Sequence, residues 1–295
     1  MPIIKKSCSR QDFRLTAFYA SFRFVGYIHW GELTMKLRIR LAVSTLLTAF
    51  VAVCLASPSL AADKMGDTKA ERNVADTWVF WPNDGQFQAF ETGVKKHVAW
   101  RKGAGDPFVW KVYEPVVGSN LDRYAVQSSN HAWADLDSEN AWGKKSDAGK
   151  QFSQDVGQHV GKMQHIFIVT DEELSHWIDD EGYRYFGVTT YHFKGGHSAD
   201  IKDVLKQVHA AATSQKWPYS YLVRYTVGGS GGLSIVNPMK NWAGMADPSP
   251  SLLEVMTNAL GSKQAAQGLI DKFSSAIKER DYTVWKYRSD LSTPQ

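Results

Sequence analysis

Histidines are the natural starting point for chemistry, because imidazole changes charge near neutrality and ligates metals. The 295-residue chain has nine, and His97, His131, His159, His165, His176, His192, His197 and His209 follow residue 61. None belongs to a His-Glu-x-x-His string, and the His192 to His197 spacing alone does not make a metal site, so no metal is expected. His131 and His192 differ from the rest because each lies beside aromatics in a strand-like stretch and could point into a shared interior. Arg224 is ambiguous in the same sense. It neighbours Tyr225, only one of the two can face inward, and an inward Arg requires an anionic partner because a buried unpaired charge is costly. Gly228-Gly229-Ser230-Gly231-Gly232 is not a phosphate cradle, since no Gly-Lys-Ser/Thr follows and strand-like residues flank it. Asp171-Glu172-Glu173 and Asp179-Asp180-Glu181 lack the alternation and central glycine of a calcium loop. No Gly-x-Ser-x-Gly elbow supports Ser/His/Asp catalysis.

The N-terminal stretch changes what the composition means. Residues 35–61 read as a secretory signal peptide, with a basic head (Met35 to Arg40), an apolar run of 15 from Leu41 to Leu55, and small-residue cleavage sites after it. The run is shorter than the roughly 20 apolar residues that span a bilayer. Residues 1–34 precede the leader's own Met and read as a mis-called upstream extension. Gly31-Glu32 can be encoded as a bacterial ribosome-binding sequence, in keeping with a start at Met35. A periplasmic or secreted protein follows, free of the membrane after cleavage. Of 34 Lys/Arg and 30 Asp/Glu, eight and two fall in residues 1–61, leaving 26 against 28. The basicity belongs to the leader, and without a phosphate-binding footprint nucleic acid is not an expected partner. Cys8 and Cys54 fall there too, which excludes disulfides, thiolate ligands and a Cys nucleophile beyond it. The 234 remaining residues suffice for a substantial core and hold ten of the eleven tryptophans.

The elements that would position these side chains come in two series. Residues 62–76 are polar and read as a flexible lead-in. Thr77 to Trp81 reads as a strand, Gln86 to Lys102 as an amphipathic helix, Phe108 to Trp133 as a hairpin, Trp142 to Met163 as a helix weakened by Gly157 and Gly161, and His165 to Thr170 as a strand. That is β-α-β-β-α-β, the ferredoxin-like order, and it makes residues 77–170 a first repeat. Residues 171–182 form an acidic linker. Residues 183–295 repeat the order: a strand at Tyr183 to Phe193, a helix with Ile201, Val204, Leu205, Val208 and Ala212 on one stripe, a hairpin over Pro218 to Trp242, a helix over Ser251 to Lys278 broken near Gly261, and a strand at Asp281 to Tyr287. Spacing supports the duplication, since Gly85 to Pro107 and Gly196 to Pro218 are both 22 residues, while Pro107 to Trp133 and Pro218 to Trp242 are 26 and 24. Trp133 and Trp242 are matched across the halves. If both anchor the core, replacing either by Ala should destabilise by roughly 3 to 5 kcal/mol.

Each such unit leaves one aromatic sheet face open to water, and packing the two open faces together buries them. The expected fold is therefore α+β: tandem ferredoxin-like repeats forming an intramolecular pseudo-dimeric barrel with helices outside. Leu222 to Trp242, with its glycine-rich turn, Leu233-Ser234-Ile235-Val236-Asn237 and Trp242-Ala243, resembles the dimeric α+β barrel superfamily. Within that group it is similar to NIPSNAP-like and antibiotic-biosynthesis-monooxygenase-like proteins. The repeat order extends the resemblance from Thr77 to Tyr287. It implies fold more than function, because barrels of this kind host oxygenases, haem enzymes and proteins of no known chemistry. The expected function is binding of a small apolar or aromatic molecule, without catalysis, by a monomer or weak homo-oligomer. Its wall would draw on Trp81, Tyr113, His131, Trp133, Tyr191, His192, Arg224 and Trp242. One alternative is an enzyme, either a cofactor-independent monooxygenase or a haem-binding protein, using His131 or His192 as base or ligand, with His209 a third haem candidate. The other is a structural or interaction module with a filled barrel.

Overall fold

The computed structural model describes residues 71–178 and 182–294. The leader and the upstream extension lie outside the described residues, and no described helix is long and apolar enough to cross a membrane. The first half runs β1 (Val74–Pro82), α1 (Phe87–Gly103), β2 (Lys111–Val117), β3 (Tyr124–His131), α2 (Trp133–Lys145), α3 (Ala148–Asp155) and β4 (Val160–His176). The second runs β5 (Tyr185–Phe193), α4 (Ser198–Ser214), β6 (Tyr221–Val227), β7 (Leu233–Met239), α5 (Leu252–Leu260), α6 (Lys263–Ala276) and β8 (Ile277–Tyr287).

The duplication is visible in the element lengths. β1 and β5 each have 9 residues, α1 and α4 each 17, and β2 and β6 each 7. The turn into each first helix rests on Gly85 and Gly196, at φ 74° and 85°, a left-handed conformation that side chains with a Cβ avoid. The strands close a barrel in the order β1-β3-β2-β8-β5-β7-β6-β4, with all eight neighbouring pairs antiparallel. Each half is a ferredoxin-like sheet, β4-β1-β3-β2 and β8-β5-β7-β6, and β2 with β8 and β4 with β6 form the two seams. Closure removes every free sheet edge within one chain.

Helices cover the outside of both sheets. Over the first half, Phe90, Val94 and Val98 of α1 pack with Phe80, Val112, Tyr124 and Val156. Over the second, Ile201, Leu205, Met256 and Phe273 pack with Tyr191, Val223 and Ile235. Strand side chains alternate between this helix face and the barrel interior.

Three boundaries differ from the sequence reading. Val74 to Asp76 belong to β1, not to a flexible lead-in, because they pair with both β3 and β4. The expected helix over Trp142 to Met163 is α2 followed by α3. Helix α2 starts at Trp133 and buries no residue, so it carries no apolar stripe to read; its first turn is held by the Asp135 carboxylate accepting from Ala132 N at 2.9 Å. Val160 and Met163, which mimic a helical period, already lie in β4. The acidic linker is also corrected at its start, because β4 continues through Asp171 to His176 with a bulge. Leu174 is fully buried there in the second core, and Ser175 Oγ accepts from Val223 N at 2.9 Å. Glu172 and Glu173 are acidic because they face water.

The helix face contains one buried titratable cluster with a measurable consequence. His97 of α1 lies 3.5 Å from the fully buried carboxylate of Asp155, which also pairs with Lys96 at 2.8 Å and accepts from Gln151 at 2.8 Å. Burial, helped by the Arg101 charge, pushes the His97 pKa down to about 4. The unfolded chain, with an ordinary His pKa near 6.5, therefore takes up a proton that the fold refuses between those two values. Stability should fall as pH drops through that window, by about 2 kcal/mol between pH 7.5 and 5 from this residue. Urea titrations at the two pH values should show His97→Gln losing that part of the slope, and an unchanged slope would remove His97 as its source.

Candidate functional site

Register decides which face each side chain occupies. Tyr191 packs against Phe273 of α6 with ring centroids 5.3 Å apart, so the odd-numbered positions of β5 face the helices. Phe186, Val188, Thr190 and His192 therefore face the lumen. Their partners on β8 and β7 include Trp285, Thr283, Val236 and Ser234, and the Thr190 and Ser234 hydroxyls meet at 3.1 Å. On β6 the helix-facing residues are Tyr221 and Val223, leaving Leu222 and Arg224 in the lumen. Across the barrel, Tyr113 of β2 lies edge-on to Phe186 at 5.5 Å and 5.7 Å from Tyr287. Arg123 stacks over Trp285 at 5.1 Å.

The lumen face is accessible in part. On β5 the helix-facing Gly187, Thr189 and Tyr191 are closed to solvent, whereas Phe186, Val188, Thr190 and His192 remain half-buried. On β6, Tyr221 and Val223 are closed while Leu222 and Arg224 are not. Side chains in the middle of a barrel can touch solvent only if the interior admits it. Eight-stranded barrels lie at the size where side chains either fill the interior or leave room for one small ligand; here Val236 and Thr283, which flank Val188, are closed at 4% and 3%, while the β5 and β6 residues just named keep some accessibility.

The lumen's electrostatics are lopsided. Arg224 Nε is buried with no hydrogen-bond partner, and among the described residues no carboxylate pairs with the guanidinium. Burial lowers the Arg224 pKa, and only the nearby Tyr113 hydroxyl opposes that shift. Burial in turn pushes the Tyr113 phenol up to about 12, which keeps it neutral and able to donate. Arg123 Nε is likewise buried without a partner, although the Asp281 charge offsets part of its desolvation.

The residues proposed from sequence separate by face. Tyr113 and Arg224 both face the lumen, near enough for the phenol to act on the arginine's charge. Trp81 and His192 occupy equivalent lumen-side positions near the ends of β1 and β5, where Trp81 stacks under Lys162 at 4.4 Å. Four others are not lumen residues. Tyr191 is turned into the second core at 1% exposure. His131 faces the helix side, with Nε2 2.7 Å from Ser128 Oγ and its ring 3.7 Å from that of Phe108. Trp133 and Trp242 are half exposed, at 49% and 48%, each opening a helical segment just outside a strand. Trp133 meets Phe167 edge-on, and Trp242 leans on Tyr185. Replacing either by Ala should therefore cost about 1–3 kcal/mol, from the buried half of the ring and one aromatic contact, less than the 3 to 5 of a core anchor. A denaturation midpoint shifted by the larger amount in either variant would contradict this placement.

Sequence reading missed Phe186, Trp285, Tyr287 and Arg123. The β8 alternation Thr283, Trp285, Tyr287 was legible, but which of its two faces is the lumen requires register. Gly228 to Gly232 is a hairpin turn between β6 and β7, with four of its glycines at positive φ. No cluster of three metal-ligating side chains occurs among the described residues.

Haem, the cofactor of the alternative reading, finds no histidine cradle among the described residues. His131 is packed shut, as described. His209 lies on α4 with Nε2 3.5 Å from Thr213 Oγ1. The cavity under α4, α5 and α6 measures only about 50 Å³ and has no histidine in its lining, against about 300–1,000 Å³ for typical cofactor sites. His192 sits at the end of β5 with Glu279 as its strand partner, away from the lumen's middle. These residues do not fit haem.

No protein-family model matches the chain, and no curated protein sequence matches it. Several solved structures are similar in shape. A candidate monooxygenase from Lactobacillus acidophilus is 7% identical at a TM-score of 0.49, over 75% of this chain and 96% of that one. A second, from Fusobacterium nucleatum, is 10% identical at 0.48, over 74% and 93%. A mutant chlorite dismutase from Candidatus Nitrospira defluvii, in complex with cyanide, is 10% identical at 0.46, over 76% and 93%. At such identities and scores, nothing about this chain's chemistry follows from them.

Proposed function

We propose that the chain is an exported barrel that holds one small, partly aromatic or apolar molecule in its lumen. The observation that carries this reading is the alternation on β5 and β6, where lumen-side residues stay accessible while their helix-side neighbours are closed. The aromatic wall of Tyr113, Phe186, Trp285 and Tyr287 supplies the apolar surface such a molecule needs, with a few polar groups to orient it. Export rests on the leader at residues 35–61, and a NIPSNAP-like relationship rests on the repeat order and the hairpin over Leu222 to Trp242.

Val188 sits between Val236 and Thr283 in the middle of the lumen, so Val188→Trp should plug it without touching the helix face. A neutral fluorescent aromatic, N-phenyl-1-naphthylamine, should bind the full chain saturably near one equivalent. The plugged variant should bind it at least about tenfold more weakly, a difference of about 1.4 kcal/mol, with its melting temperature kept. Undiminished binding by Val188→Trp would move the site out of the lumen. Native mass spectrometry and an absorption spectrum of protein purified without added ligand complete the test. A bound small molecule supports the proposal, and a Soret band would overturn it in favour of haem.

A further inference from the structure

The lumen's least explained feature is a cation with nothing to balance it. A guanidinium with part of its fork out of solvent's reach favours an anionic partner, because a buried donor left without an acceptor is costly. Arg224 is hydrogen-bonded to no described residue, its Nε is out of solvent's reach, and the rest of its side chain borders the open lumen. Its nearest ionisable neighbour, Tyr113, is a neutral phenol. The pseudo-symmetry makes the arrangement sharper. Tyr113 pairs with Ala125 on β3 and Arg224 pairs with Ser234 on β7, so the two occupy the same position in the two halves. One position, used twice, supplies a phenol donor from one half and a charged donor from the other, both facing the lumen space and near enough to interact. Around that space stand Phe186, Tyr287 and Leu222.

We infer that the lumen ligand is an organic monocarboxylate with an aromatic or apolar body, its carboxylate held by Arg224 and Tyr113. A guanidinium presents a fork of N–H donors that matches a carboxylate, a phenol O–H adds a third donor, and neither can be satisfied by a purely apolar guest. The aromatic wall takes the body of the molecule. The inference rests on the lumen reading above and narrows it to a ligand class.

Calorimetric titration of the full chain with 3-phenylpropionate, its neutral amide and acetate separates the two levels. Wild type should bind the arylcarboxylate at least about tenfold tighter than the amide, as expected for a charge-assisted, desolvated contact, and acetate should bind far more weakly. Arg224→Gln should erase the preference for the acid while leaving amide binding in place. Tyr113→Phe, which keeps the ring and its packing, should weaken the acid alone and by a smaller factor, and it guards against misfolding of the arginine variant. Equal binding of acid and amide by wild type, with both lost in Val188→Trp, would overturn the anion assignment and leave the lumen reading standing. Binding of acetate as tight as the arylcarboxylate would replace the ligand class by a bare small anion. Failure of both aryl probes at millimolar concentration would overturn both.

Discussion

Gly93→Ala should unfold much of the first half, although it replaces the poorest helix former but proline by the best. Helix propensity alone favours the change by about 1 kcal/mol. The environment reverses the sign. Gly93 is buried on the inner face of α1, where a Cβ would overlap the carbonyl oxygen of Asp155 and stand 3.0 Å from its carbon. Neither atom can yield like a flexible side chain, because Asp155 closes α3 and its carboxylate is tied to Lys96 and Gln151. Accommodating the methyl means pushing α3 off α1 and pulling Val156 out of the first core. A loss above about 3 kcal/mol is expected, at or beyond the upper end of ordinary overpacking. Gly268→Ala is the control. It lies within α6 with nothing near the added Cβ, so there propensity should act alone and stabilise by up to about 1 kcal/mol. Urea unfolding of both variants reads the contrast, and a Gly93→Ala protein as stable as wild type would refute the helix contact.

The scaffold is symmetric and its lumen is not. Strand β1 places Ala75, Thr77, Val79 and Trp81 where β5 places Phe186, Val188, Thr190 and His192, since the two strands match residue for residue in length and turn. Ala75, Thr77 and Val79 are closed, whereas their β5 counterparts line open space. The first half contributes Tyr113 and, from β4, Gln164, Ile166, Ile168 and Thr170, which stay half-buried beside the closed β1 residues. A fused pair can diverge in this way because each copy mutates separately while the shared barrel closure is kept, which an identical homodimer cannot do.

Spacing was the strongest signal in the sequence, and it worked where glycine conformation enforced it. Gly85 and Gly196 mark the same turn in each half, and the barrel followed from two sheets that each had one aromatic face to hide. Parity was illegible. A one-residue slip exchanges the faces of a whole strand, and without register neither Tyr191 nor His131 could be told from a lumen residue, nor Arg224 from Tyr225. Depth was illegible too. Trp133 and Trp242 do hold matching places, each following the third strand of its half, yet matching place carries no information on burial. Helix α2 escaped because it buries no residue fully and its inward face is mostly polar, with Asp135 and Glu139 beside Leu136 and Trp142, so it has little apolar period to detect.

The largest loss from removing a single charge is expected at Arg101, outside the lumen. Its guanidinium donates to Asp106 and to Glu139, and it is held between the rings of Trp110 and Trp142, at 4.9 and 4.7 Å. Asp106 is wholly buried, and it also accepts from Phe108 N and from Trp110 Nε1, both at 2.9 Å. Through this one side chain the end of α1, the loop into β2 and helix α2 are fixed together. Arg101→Ala leaves Asp106 as a buried carboxylate without its counter-ion, a change that typically costs 3–5 kcal/mol, and it also removes two cation–π contacts worth about 1 kcal/mol each at partly exposed sites. Arg101→Met separates charge from packing, because it keeps most of the apolar stem. If the stranded carboxylate dominates, Arg101→Met should be nearly as unstable as Arg101→Ala, and Asp106→Asn in the same chain should recover part of the loss. A methionine variant close to wild type would instead show that the tryptophan sandwich, and not the ion pair, holds α1 to α2.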